Sequence, residues 1–252
     1  MSKAPAVVLL HGFTNSGASW QPVISGLAQR YRALAPDIRG HASASEQTPV
    51  TLAAVLEDIA AISEPRFTLV GYSQGGRIAL HVALAMPERI ERLVLIGASP
   101  GLQVERERDE RRAADEQLAA RIEAMTIDQF ATSWARTPVL AGASPELAAA
   151  AHADRLRSTP LGLAAALRGL GTGALPPVWD RLRELKMPTS IIVGERDQKF
   201  TAIGREMALQ IPATEKFVVV PGAGHAVHLE RPDAVIAELE RVVPADQPVT
   251  EP

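Results

Sequence analysis

The sequence predicts an α/β fold: a mostly parallel sheet with helices on both faces and a helical block inserted late in the order. Three observations carry this. The chain has 252 residues, the size of one large α/β domain. Short runs rich in Val, Ile and Leu alternate with segments of helical spacing. Such uniformly apolar strands belong to a parallel sheet covered on both sides. From about residue 101 to residue 179, by contrast, no strand pattern occurs.

The elements follow in order. Residues 6–10 (AVVLL) form a buried strand broken by His11-Gly12-Phe13, and residues 20–29 read as a helix. A second strand lies within 31–38, followed by a loop over 39–49. Thr51 is placed to cap a helix over 51–62. Residues 67–72 are a strand, 74–85 a helix stopped by Pro87, and 92–97 (RLVLIG) the next strand. The stretch 101–179 reads as an insertion of about four helices at the C-terminal edge of the sheet, broken at Pro138, Pro145, Pro160 and Pro176. The core resumes with a strand over 189–194, a helix near 202–210, a strand over 216–220 and a helix over 232–243. The expected division is a core of 1–100 with 180–245, a helical cap of 101–179 and a loose tail of 246–252.

Composition narrows the function. Apolar residues make up 46% and charged residues 22%, as in ordinary globular domains. The 26 basic and 29 acidic residues leave a net charge of −3, which argues against nucleic acid as a partner. There is no cysteine, so disulfides, thiolate catalysis and iron–sulfur clusters are excluded. That usage fits a cytoplasmic protein. The opening residues lack the apolar stretch of a signal peptide, and no run approaches the 18 apolar residues of a membrane span. No metal site is expected, because no histidine pair has tight ligand spacing. The sequence is equally compatible with a monomer and a homo-oligomer.

Gly71-Tyr72-Ser73-Gln74-Gly75 matches G-x-S-x-G between a predicted strand and a predicted helix. In that context the serine sits on a sharp turn, exposed above the sheet as a nucleophile. A serine of this kind needs a base, and the base an orienting carboxylate, in the order Ser, Asp or Glu, His. Gly194-Glu195-Arg196-Asp197 follows one strand and Gly222-Ala223-Gly224-His225 the next. Ser73, Asp197 and His225 are thereby brought to one rim. Glu195 is the rival acid. His228 is the rival base, although its position suits a cap on the final helix region. His41, His81 and His152 default to surface or packing roles. The backbone N–H of Gln74, just after the serine, and that of Phe13, in the loop after the first strand, suit an oxyanion hole.

HGF, PDIRGHASAS, GYSQGG, GERD and GAGH stand in the order found in the α/β-hydrolase superfamily, which the chain resembles over essentially its whole length. The resemblance implies a sheet trimmed to about six strands, because no room is left for an N-terminal hairpin. It leaves Asp37 and His41 as loop scaffolding. Ser73 at the elbow excludes the dehalogenase and epoxide-hydrolase routes, which need Asp there.

The arginines suggest the substrate. Arg77 lies one turn after Ser73. Arg106, Arg108, Arg111 and Arg112 crowd the first cap helix, and Arg155 and Arg157 lie late in the cap. Arginine suits carboxylates through bidentate charge-assisted bonds. On pattern alone a solvated helix face is the better account of ERERDERR, with Glu107–Arg111 as an ion pair worth about 0.2–0.5 kcal/mol. SPGL running into ERERDERRAAD, Trp134, LRSTPLGLAAALRGLGTGALPPVWDRL, GERDQKF and GAGHAVHLERP is similar to the 2-succinyl-6-hydroxy-2,4-cyclohexadiene-1-carboxylate (SHCHC) synthases of menaquinone biosynthesis. That resemblance implies a cofactor-free lyase that eliminates pyruvate from a small tricarboxylate, with Ser73, Asp197 and His225 acting as the base. It also implies substrate contacts from Tyr72, Arg77, Arg111, Trp134 and Arg157. Arg108 or Arg112 could stand in for Arg111, and Arg155 for Arg157. Lys199 and Phe200 are candidates for the pocket rim. An esterase, a thioesterase or a carbon–carbon bond hydrolase would share the triad but not need the arginines. A non-catalytic binding protein would need neither.

Overall fold

A computed structural model describes residues 4–27, 30–137 and 144–242. The expected tail and the break at Pro138 lie outside these. Six strands form one sheet: β1 (Ala6–Leu10), β2 (Arg32–Leu34), β3 (Phe67–Tyr72), β4 (Ile90–Ile96), β5 (Thr189–Gly194) and β6 (Thr214–Val220). Their order is β2-β1-β3-β4-β5-β6, and every neighbouring pair is parallel. The trimmed parallel sheet read from the sequence is the one that forms.

Alternation along the strands feeds two cores. Val8, Leu10, Leu69, Leu93 and Ile191 point to one face. There they pack against α2 (Leu52–Ala60), α3 (Gln74–Ala85) and α8 (Gln198–Gln210) through Val55, Ile59, Ile78, Val82 and Met207. Val7, Leu9, Val70, Val94 and Ile192 point to the other face. They meet α1 (Gln21–Leu27) and α10 (Pro232–Val242) through Val23, Leu27, Val235 and Leu239. Each large aliphatic side chain so buried contributes about 1.5–3 kcal/mol. The Thr51 hydroxyl accepts a hydrogen bond from the N–H of Ala54, so it caps α2 as its sequence position suggests.

Between β4 and β5 stand α4 (Glu105–Glu123), α5 (Ile127–Trp134), α6 (Pro145–Arg155) and α7 (Pro160–Leu170). Pro145 and Pro160 open helices rather than break them, because proline at the first helical position gives up no bond. The cap has its own small core of Ala119, Ile122, Phe130, Leu163, Ala164 and Leu167. Leu170, Leu175, Val178 and Trp179 instead join the main core, so packing returns to the sheet before residue 180. A four-residue helix, α9 (Val227–Glu230), follows β6 and precedes α10. No helix among the described residues is long and apolar enough to cross a membrane.

Candidate active site

The chain leaves β1 for β2 on one side and returns to β3 on the other, so the carboxyl ends of β1 and β3 flank a switch point. Open parallel sheets bind ligands there. The loop 11–15 after β1 and the turn after β3 both lie at this place.

Ser73 makes the turn from β3 into α3 with φ +52° and ψ −109°, a left-handed strain for a non-glycine residue. Close packing enforces it. A Cβ on Gly71 would lie 2.5 Å from the Gly75 carbonyl oxygen and 2.6 Å from Gly76 Cα. A Cβ on Gly75 would overlap the carbonyl oxygens of Leu10 and His11. The elbow therefore sits hard against the end of β1. His225 Nε2 lies 3.0 Å from Ser73 Oγ, and His225 Nδ1 lies 2.5 Å from Asp197 Oδ2. Asp197 also accepts from the N–H of Phe200, which fixes it at the start of α8. Glu195, the rival acid, bonds the N–H of Gly222 at the surface instead. His228 does not cap the last helix, as its sequence position suggested. It lies inside α9, fully buried, its ring 4.5 Å from Trp20 and 4.2 Å from Tyr72. Helical backbone after residue 226 turns it into the core, and burial holds its pKa down to about 3.

The N–H groups of Phe13 and Gln74 donate to no acceptor among the described residues, as an oxyanion hole requires. The loop carrying Phe13 is held by His11. Its Nδ1 donates to the Gly12 carbonyl and its Nε2 accepts from the N–H of Ile38, so the ring is neutral, in line with a pKa lowered by burial. Asp37 accepts from Gly17 N, Ser43 N and Ser43 Oγ. His41 packs edge-on to His11 and Phe13. Both act as scaffolding. His81 is buried near Arg77, whereas His152 lies 3.2 Å from Asp128 near the surface. No three His, Asp or Glu side chains among the described residues group closely enough to hold a metal ion.

A cavity opens over Ser73 and His225, walled by Phe13, Tyr72, Trp134, Arg155 and Leu229. Trp134 meets Phe13 edge-on at 5.4 Å, joining α5 to the loop after β1. Phe200 lies against His225 with ring centroids 4.4 Å apart, and Lys199 sits over Phe200.

The arginines distribute unevenly. Arg77 is buried beside Asp115 and Arg111, its Nε without a partner, and burial lowers its pKa to about 10. It is not in the cavity wall. Arg111 pairs forward with the buried Asp115 at 2.8 Å, not back with Glu107 as the spacing allowed. Arg108 bonds the Leu102 and Gln103 carbonyls, and Arg112 pairs with Asp109 at the surface. Arg157 is exposed, on a neighbouring groove. Arg155, which the resemblance allowed in place of Arg157, stands in the cavity wall. Two residues apart at a helix end, the two side chains face opposite ways, so one excludes the other from the site.

Sequence reasoning missed Glu230. Its Oε2 accepts from the N–H of Gly224 and from Arg196, so it ties the loop bearing His225 to the loop bearing Asp197. A carboxylate five residues after the histidine was the only signal in the sequence.

The model of the alpha/beta hydrolase family matches residues 7–238. The SHCHC synthase of Salmonella paratyphi C is 32% identical over 95% of this chain and 94% of its own length. A Bacillus subtilis protein provisionally named for the same activity is 35% identical over 90% of this chain and 86% of its own. The structure of MenH from S. aureus superposes with a TM-score of 0.90 at 29% identity, covering 96% of this chain and 94% of that one. The chain belongs to the alpha/beta hydrolase family, in the branch that holds the SHCHC synthases.

Proposed function

We propose that the protein is an SHCHC synthase, a lyase that eliminates pyruvate from 2-succinyl-5-enolpyruvyl-6-hydroxy-3-cyclohexene-1-carboxylate. The observation that carries this reading is the length of the match: proteins named for this activity align through the cap as well as through the triad. The cap walls the cavity with Trp134 and Arg155, so agreement there bears on the substrate, whereas the triad alone bears only on the superfamily.

The geometry suits the reaction. Asp197 orients His225, and His225 bonds Ser73 Oγ, so the pair can take the ring proton at C2, next to the succinyl carbonyl. The electrons of that C–H bond form C2=C3. The C3=C4 pair moves to C4=C5 and breaks the C5–O bond, and the enolpyruvate released takes up a proton to become pyruvate. Negative charge builds on the succinyl carbonyl oxygen, where the amides of Phe13 and Gln74 meet it. No acyl-enzyme forms. The substrate in this reading is a small tricarboxylate, with Tyr72, Trp134 and the cap arginines as its contacts. Arg77 and Arg111 are not among the residues that wall the cavity. A cytoplasmic location belongs to the same reading.

Pyruvate release from enzymatically made substrate, read against Ser73→Ala, tests this. A fall of about 10²–10⁴-fold in the variant, with weak turnover of p-nitrophenyl acetate by the wild type, is expected. No release above the uncatalysed rate, with brisk ester turnover, would make the protein a serine hydrolase.

A further inference from the structure

The segment 14–19, which leads from the loop after β1 towards α1, carries four polar side chains: Thr14, Asn15, Ser16 and Ser19. Three of them have protein partners. The Thr14 hydroxyl accepts from Arg155 Nε at 3.4 Å. Ser16 donates its N–H and its hydroxyl to Asp154, and its oxygen accepts from the N–H of Ala18. The Ser19 hydroxyl donates to the Ser16 carbonyl. Asn15 is the exception. It is only 7% exposed, yet its side-chain amide bonds no group among the described residues. The amide is not walled off either. Asn15 lines both the cavity over Ser73 and His225 and the groove beside it along α6.

The backbone holds Asn15 on both sides. Its own N–H donates to the Gly12 carbonyl at 3.1 Å, closing a turn in which Thr14 has φ +68°. The next residue, Ser16, is gripped by Asp154. Phe13, whose N–H serves the oxyanion hole, lies inside the same turn, whose ends are within about 7 Å of each other. A carboxamide has two N–H donors and an acceptor oxygen. Taking it largely out of water without partners is unfavourable, and a bound ligand can supply them. The acids nearby do not compete, because Asp154 is held by Ser16 and Glu230 by Gly224 and Arg196.

In the lyase reading the succinyl carbonyl oxygen meets the N–H groups of Phe13 and Gln74. The carboxylate of the same arm follows after two methylene groups, which brings it within the span of the turn that carries Asn15. A carboxylate only accepts, and the amide nitrogen only donates, so the two match. We propose that Asn15 donates its side-chain amide to the terminal carboxylate of the substrate's succinyl arm, making it a specificity-determining residue for that arm. The inference deepens the lyase reading and rests on it for the identity of the substrate.

Two esters test this apart from the elimination. Mono-p-nitrophenyl succinate carries the same acyl arm, and p-nitrophenyl butyrate replaces its carboxylate by a methyl group. The readout is the ratio of their kcat/KM values, in which any general loss of activity cancels. In the full chain, Asn15→Leu should lower the succinate-to-butyrate ratio about 10-fold or more, the loss expected for a hydrogen bond to a charged group. Asn15→Asp should lower it further, because like charges then face each other. A ratio at the wild-type level in either variant overturns the proposal and leaves the lyase reading intact. A wild type that releases no pyruvate removes the lyase reading, and the ester ratio then decides on Asn15 alone. Where the esters turn over too slowly to read, the enolpyruvyl substrate decides. Its KM should rise about 10-fold in Asn15→Leu with kcat within a few-fold, and an unchanged KM overturns the proposal.

Discussion

Acid should unfold this protein well above the range where its carboxylates titrate, because three histidines are buried neutral. Burial holds His41 and His228 down to about 3 and His81, beside Arg77, down to about 4. In the unfolded chain each titrates near 6.5. Below that pH the unfolded state binds protons that the folded state refuses, so stability falls as pH falls. Between pH 7.5 and pH 5.0 each such histidine removes about 2 kcal/mol, and the three together about 6 kcal/mol. His11, also lowered by burial, acts in the same direction. The total is comparable with the whole stability of a typical domain, about 5–15 kcal/mol. Asp37 and Glu238, whose pKa values are lowered by their hydrogen bonds despite partial burial, add to the loss only further down the scale. Urea unfolding at pH 7.5, 6.0 and 5.0, followed by tryptophan fluorescence, measures the effect. His228→Leu should remove about a third of the pH dependence. It should also be better tolerated at pH 5.0, since neither ring nitrogen of His228 has a partner to lose. A stability difference below about 2 kcal/mol between the two extremes, or an unaltered slope in His228→Leu, would refute the reasoning.

Two further outcomes follow from the elbow and its supports. Gly75→Ala should displace either the elbow or the end of β1, lowering stability by about 1–3 kcal/mol and the rate of pyruvate release by on the order of 10²-fold, since both oxyanion amides hang on that contact. Thermal melting and single-turnover kinetics report the two parts; a fully active variant would show that the contact is slack. Glu230→Ala should lower kcat about 10-fold with little change in KM, by loosening the tie between the Asp197 and His225 loops. Glu230→Gln keeps an acceptor for Gly224 and should restore much of kcat, whereas a rise in KM alone would assign Glu230 to substrate binding.

The strands that build the site were legible because both faces of the sheet are covered. Residues 67–72 and 189–194 are buried at every position, so they stand out as mostly apolar runs, with Thr68, Thr189 and Ser190 as their polar members. The edge strands were less so. β2 is three half-buried residues, and β6 is exposed along part of its length, so neither carries a sharp pattern. The triad was legible for a related reason. Each member follows a strand end, Ser73 by one residue, Asp197 by three and His225 by five, so a short turn carries each to the same rim.

The cap obeys no such constraint. Its first helix is charged nearly all round, so its sequence does not say which arginine faces inward. Two contacts decide: within α4 the buried Asp115, four residues on, draws Arg111 forward, and Arg157 falls beyond the end of α6 while Arg155 ends it. Asp154 fixes that last register by gripping Ser16, 138 residues away in sequence, a contact no local pattern encodes. In this protein the chemistry can therefore be read from the chain, because strand ends deliver it. Specificity cannot, because it depends on how one short helix is clamped to a distant loop. That asymmetry is expected wherever a cap closes over a rim built from strand ends, and at the end of α6 the structure distinguishes two arginines that the resemblance left open, Arg155 in the cavity wall and Arg157 in the neighbouring groove.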